Sequence, residues 1–102
     1  MERIAILTSG GDAPGMNACI RAVVRTALNF NMDIYGVERG YAGLVKGEIS
    51  RLGTRSVSDM IHKGGTFLKT ARCPEFRDIE VQRQAFEALS AFGIKGLIVI
   101  GG

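Results

Sequence analysis

Two continuous apolar runs bracket the chain, Ile4-Ala5-Ile6-Leu7 near the start and Leu97-Ile98-Val99-Ile100 near the end. Runs of that length without polar alternation fit strands covered on both faces, as in a parallel sheet. Between them the period changes. Met16, Ile20, Val23, Val24, Ala27 and Leu28 fall on one face of a helix from about Gly15 to Phe30. Val81, Ala85, Ala88, Leu89 and Phe92 repeat that stripe in a second helix, opened by Asp78 and closed by Gly93. The first strand runs from about Arg3 to Thr8. Asn29 and Asn31 end the first helix, and Ile34-Tyr35-Gly36-Val37 forms the next strand, completing a right-handed βαβ unit. Gly40-Tyr41-Ala42-Gly43-Leu44 reads as a loop and Glu48 to Leu52 as a short strand. Ser56-Val57-Ser58-Asp59 reads as a capping box that opens a short helix through His62. Strands alternating with helices predict an α/β layer architecture.

The junction between the first strand and the first helix is glycine-rich. Gly10, Gly11 and Gly15 permit positive φ and let a ligand approach a backbone that has no Cβ in the way. A helix N-terminus after such a turn presents free N–H groups and the positive end of a dipole, which suits phosphate. The spacing fits neither a Walker A loop, which needs Gly-Lys-Ser/Thr, nor the dinucleotide fingerprint. The last apolar run also ends in a glycine pair, Gly101-Gly102. Ligands in open α/β sheets bind beyond the carboxyl ends of strands, so both pairs are expected to line one crevice.

Composition narrows the classes. With 46% hydrophobic residues the chain is expected to be globular, and its formal charge of +3 with only 7% aromatic residues gives no basis for a nucleic-acid partner. Cys19 and Cys73 lie far apart and His62 is the single histidine, so no zinc-ligand spacing exists and free thiols in a reducing cytosol are expected. No leader precedes Ile4 and no apolar run is long enough to span a membrane, which points to a cytoplasmic protein with no membrane partner. A buried strand needs helices over both faces, yet the chain stops after Gly101-Gly102. The expectation is an N-terminal piece of a longer protein, with residues 1–102 forming the first part of a nucleotide-binding domain.

Thr8-Ser9-Gly10-Gly11-Asp12-Ala13-Pro14-Gly15-Met16-Asn17 is similar, residue for residue, to the opening signature of the 6-phosphofructokinases, and the pattern first varies at Cys19. Lys63-Gly64-Gly65-Thr66-Phe67-Leu68 and Thr70-Ala71-Arg72-Cys73-Pro74-Glu75-Phe76-Arg77 resemble two further blocks of that family. The resemblance covers the chain from Ile4 to Gly102. It implies a three-layer, Rossmann-like, mostly parallel sheet with helices on both faces. It also implies an ATP-dependent, allosterically regulated kinase that phosphorylates fructose 6-phosphate with Mg2+-bound ATP in glycolysis, and a homotetramer when full length.

Residue by residue, the resemblance implies that Gly11 and Arg72 serve catalysis, and that Gly11, Tyr41, Arg72, Cys73 and Gly102 hold ATP. It implies that Arg21, Arg25, Arg55 and Asp59 hold an effector, ADP or phosphoenolpyruvate. Arginine fits such tasks because its planar guanidinium stays charged and binds phosphate oxygens in pairs. Read without the resemblance, Arg21 and Arg25 are either a solvated helix face or a fork for an anionic ligand, and Tyr41 either covers the sheet edge or contacts a ligand; Asp59 completes a cap, Arg77 is a solvated charge or part of an anion-binding surface, and His62 is a surface or capping residue. Some relatives carry arginine where this chain has Thr54, with Arg55 next to it. Cys73 has no histidine base nearby in the sequence and is not read as a nucleophile. The family's magnesium-binding aspartate follows the second Gly-Gly and its catalytic base lies in a later Thr-Ile-Asp segment. No metal ligand is therefore expected within these residues, and the 102-residue chain alone is expected to be inactive. Alternatives are the pyrophosphate-dependent branch of the family and a non-catalytic nucleotide-binding module. A dinucleotide dehydrogenase fits least, with Glu38 its only candidate ribose-binding acid.

Overall fold

β1 (Arg3–Ser9) is an inner strand of a four-stranded sheet ordered β3-β2-β1-β4. In the computed structural model, residues 2–9, 16–53, 55, 68 and 73–101 are described. The elements that follow β1 are α1 (Met16–Asn29), β2 (Asp33–Val37), α2 (Gly40–Val45), β3 (Ile49–Leu52), a 3-10 turn (Pro74–Arg77), α3 (Ile79–Ala91) and β4 (Gly96–Gly101). β1 pairs in parallel with both β2 and β4, while β3 runs antiparallel to β2. This is the expected mostly parallel α/β sheet.

The sheet is covered on both faces, and the alternation along β1 shows how. Ile6 faces a cluster with Ile20, Val24, Ala27, Ile34, Leu52 and Leu68, which is the α1 side. Its neighbours Ala5 and Leu7 join Tyr35, Val37, Leu44, Ile49 and Ala85 on the other side, under α2 and α3. α1 leads from β1 to β2 on one face, and α3 leads to β4, on β1's other flank, from the opposite face. Ile6, Leu7, Ile20 and Val24 are fully buried, each removing about 1.5–3 kcal/mol worth of apolar surface from water.

Local signals hold at the helix ends. The Asp78 carboxylate accepts from the Glu80 N–H at 2.9 Å, as an N-cap should. Gly93 takes φ 69° just past the end of α3, and the N–H of Ile94 reaches the Leu89 carbonyl at 3.0 Å. Arg3 donates to the Phe92 carbonyl at 2.8 Å, placing a cation at the negative end of α3. Asn31 closes α1 with φ 58°.

Two expectations need correction. Residues 40–44 are not a loop but most of α2, because the left-handed turn at Arg39 (φ 61°, ψ 35°) starts a helix that hydrogen bonds to Glu48 then close. β4 is only partly covered: Ile98 packs on the α1 side and Leu97 on the other, but no described strand lies on its outer flank and Val99 is 43% exposed. The short helix from Ser56 to His62 lies outside the described residues. Among the described residues no helix is long and apolar enough to cross a membrane.

Candidate functional site

The parallel strands β1, β2 and β4 end side by side. Leu7 pairs with Val37, Thr8 with Ile100 and Ser9 with Gly101. Ser9, the residue before the first glycine pair, thus lies beside Gly101, the first residue of the second pair, at the carboxyl edge of the sheet. Gly11 and Gly102 themselves lie outside the described residues, as do Asp59 and Arg72.

α2 and the 3-10 turn stand at this same edge, α2 directly after β2 and the turn directly before α3. The Tyr41 ring stacks on the Phe76 ring with centroids 4.2 Å apart and planes inclined by 27°. One face of Tyr41 is therefore occupied by protein, and both rings belong to the cluster beneath α2 and α3. Cys73 precedes the turn, and its thiol donates to Glu75 Oε2 at 3.4 Å. Burial, with the Glu75 carboxylate beside it, pushes the Cys73 thiol above its ordinary value. A thiol held above its ordinary value is less often the thiolate, the nucleophilic form.

α2 is fixed by polar contacts. Arg39 Nε and Nη2 donate to the two Glu48 carboxylate oxygens at 2.9 and 2.7 Å, a bidentate pair. The hydrogen bond and the charge of Glu48 raise the Arg39 guanidinium, and the same hydrogen bond lowers the Glu48 carboxyl. Around this pair the backbone closes on itself. The N–H of Glu38 reaches the Glu48 carbonyl at 3.0 Å, that of Gly43 the Arg39 carbonyl at 3.2 Å, and that of Glu48 the Gly43 carbonyl at 2.9 Å. The closure requires a glycine, because a Cβ at residue 43 would collide with the Glu38 carbonyl oxygen.

The arginines expected at an effector site lie elsewhere. Arg21 and Arg25 are on α1, across the sheet from Tyr41 and Phe76. Arg25 is exposed, whereas Arg21 is half-buried with its Nε shielded and without a hydrogen-bond partner among the described residues. Arg55 has helical backbone and is exposed. Thus the structure brings Tyr41 and Cys73 to one end of one face and keeps Arg21 and Arg25 on the other. A hollow of about 300 Å³ beside α1, lined by Ile4, Val23, Ala27, Phe30, Met32 and Ile98 among others, is apolar and offers no charge to a phosphate. Among the described residues no three His, Cys, Asp or Glu side chains group as metal ligands.

The sequence model of the Phosphofructokinase family matches residues 3–102. The chain belongs to the phosphofructokinase family. An ATP-dependent 6-phosphofructokinase from Clostridium botulinum (strain Eklund 17B) is 60% identical over all 102 residues, and one from Bacillus pumilus is 57% identical. The chain spans only about a third of these relatives, 32% of their length. Among solved structures, the phosphofructokinase of Saccharomyces cerevisiae superposes with a TM-score of 0.94 at 45% identity, over 100% of this chain and 14% of that one. A pyrophosphate-dependent phosphofructokinase from Marinobacter aquaeolei superposes with a TM-score of 0.81 at 20% identity, over 100% of this chain and 26% of that one, a likeness of fold alone.

Residue patterns alone did not reveal Arg39, Glu48 and Phe76. No motif links an arginine to a glutamate across a glycine-containing turn, and Phe76 meets Tyr41 only once β2, α2 and α3 are assembled. The one available hint is Gly43, a glycine within what proves to be a helix.

Proposed function

We propose that the full-length protein carrying these residues is an ATP-dependent 6-phosphofructokinase, transferring the terminal phosphoryl group of ATP to the 1-hydroxyl of fructose 6-phosphate in glycolysis. The observation that supports this most is the register of β1 and β4, which starts both glycine pairs from neighbouring strand ends. That is the edge at which an open α/β sheet binds its ligand. The names of relatives 57–60% identical to this chain favour ATP over pyrophosphate as donor.

Phosphoryl transfer asks a protein mainly to position the groups and neutralise charge. In this reading the backbone at Gly11, without a Cβ, approaches the donor phosphates and offers an N–H, and Gly102 opens a second phosphate loop. Arg72 neutralises charge developing on the transferred group. Tyr41 and Cys73 border the nucleotide. Magnesium enters with ATP as part of the substrate. Its protein ligand and the catalytic base belong to the part of the relatives beyond these residues, so the 102-residue chain alone is expected to give no turnover.

The reading extends to regulation. Arg21, Arg25, Arg55 and Asp59 are read as the effector site for ADP or phosphoenolpyruvate, in a cytoplasmic homotetramer. The shielded Nε of Arg21, with no hydrogen-bond partner among the described residues, supports a role beyond that of a solvated charge, since leaving a buried polar group unpaired is costly. The test is product formation from fructose 6-phosphate by the full-length protein, with magnesium and either ATP or pyrophosphate. Product with ATP alone supports the reading. Product with pyrophosphate alone replaces the donor, and silence with both, from a folded protein that binds nucleotide, leaves a binding module.

A further inference from the structure

The polar closure around α2 has two arms that reach beyond it. The backbone N–H of Arg39 donates to the Leu68 carbonyl at 2.9 Å. The Tyr41 ring, two residues further on, stacks on Phe76. Leu68 and Phe76 flank the stretch that contains Arg72 and Cys73. Both flanks are anchored on the protein side as well. Leu68 is 2% exposed and packs with Leu52 in the α1-side core, and Phe76 packs in the α3-side core. Arg39, the cap of α2, and Tyr41 in its first turn therefore hold Leu68 and Phe76.

What fixes that helix is the Arg39–Glu48 pair. Arg39 is one of two described non-glycine residues with positive φ, the other being Asn31, which closes a helix. A left-handed arginine is disfavoured by its Cβ and persists only where the surroundings hold it. Two charge-assisted hydrogen bonds to Glu48, together with the three backbone bonds that close residues 38–48, provide that hold. The left-handed turn in turn aims the Arg39 N–H at Leu68. We propose that Arg39 and Glu48 are positioning residues of the nucleotide site, holding Leu68 directly and, through Tyr41, the turn of Phe76 that follows Cys73. Neither touches the reacting atoms. The inference rests on the reading of that segment as part of the ATP site.

The test uses the full-length protein with Glu48→Gln, Arg39→Met, the double variant and Arg39→Gly. Two readouts are needed, amide hydrogen exchange of the peptide spanning residues 68–76, and KM for ATP beside KM for fructose 6-phosphate. Glu48→Gln and Arg39→Met are each expected to speed exchange in that peptide and to raise KM for ATP about tenfold. That is well short of the ~100-fold a 1 Å misplacement of reacting groups can cost. KM for fructose 6-phosphate stays within about twofold, and the double variant is no worse than either single one, because both remove one shared interaction. Arg39→Gly, which keeps the left-handed turn accessible, loses less than Arg39→Met. Unchanged exchange, an unchanged KM for ATP, an equal rise in both KM values, or a loss of thermal stability alone overturns the proposal. If the unsubstituted protein phosphorylates no sugar, the functional reading falls with its ATP site, while the exchange rates still decide whether the pair holds both flanks.

Discussion

The two faces of the sheet are built on different principles. Among the described residues, the α1 face is closed chiefly by one long helix whose apolar stripe, Ile20, Val24 and Ala27, sinks into the core beside Ile6 and Ile34. The opposite face is closed by two helices, and the shorter of them depends on an ion pair, a left-handed turn and a glycine that admits no Cβ. Apolar packing tolerates adjustment and carries little directional information, whereas hydrogen bonds fix angles. The face that carries Tyr41 and Cys73 near the carboxyl edge is the one that uses polar closure, and the face under α1 is held by apolar packing.

The comparison can be broken at several points. The largest loss is expected on the apolar face: Ile20→Ala removes a fully buried side chain and should cost about 4 kcal/mol, within the range for such truncations, measured by urea denaturation. On the polar face Gly43→Ala drives a methyl group against the Glu38 carbonyl. It should cost about 3 kcal/mol by the same assay, at the upper end for overpacking, and should also disturb the Tyr41 environment as read by tyrosine fluorescence. If Gly43→Ala instead proves neutral, the closure around α2 is not what shapes that face. Asp78→Ala removes a single cap from α3 and should cost about 1 kcal/mol in the denaturation midpoint.

The smallest effect is a matter of pH. Glu48 is held below its ordinary value, chiefly by the hydrogen bond from Arg39. A depressed carboxyl contributes stability that is present above the unfolded-state value and is lost as pH falls through the folded one. The gap between the native protein and Glu48→Gln should therefore be open at neutral pH and close as the solution is acidified below the ordinary carboxylate range. Since the pair is partly exposed, the gap should also shrink with added salt. A gap that widens on acidification would reverse the assigned direction.

How much of this was legible in the sequence follows from the same contrast. The stripe of α1, the cap at Asp78 and the stop at Gly93 are local signals, each written within one turn of helix, and the structure carries all three. The apolar runs of β1 and β4 identified the strands, and the shared glycine pairs placed their ends together before the register was known. α2 was misread as a loop because Gly40-Tyr41-Ala42-Gly43 has neither a stripe nor a cap residue, and its first turn depends on an arginine in a conformation no sequence rule assigns to arginine. The stacking of Tyr41 on Phe76 and the grip on Leu68 join residues distant in the chain, and only the assembled sheet makes them neighbours. The buried Nε of Arg21 belongs to the same class, since spacing on α1 left it either solvated or facing a ligand and only packing shows it shielded.

The central claim is that nucleotide binds at the carboxyl edge on the α2 and α3 side. Its most direct test is photolabelling of the full-length protein with 8-azido-ATP followed by peptide mapping. The account predicts label on peptides spanning residues 38–47 and 68–77, displaced by unlabelled ATP. Label confined to the α1 peptide containing Arg21 and Arg25 would contradict it.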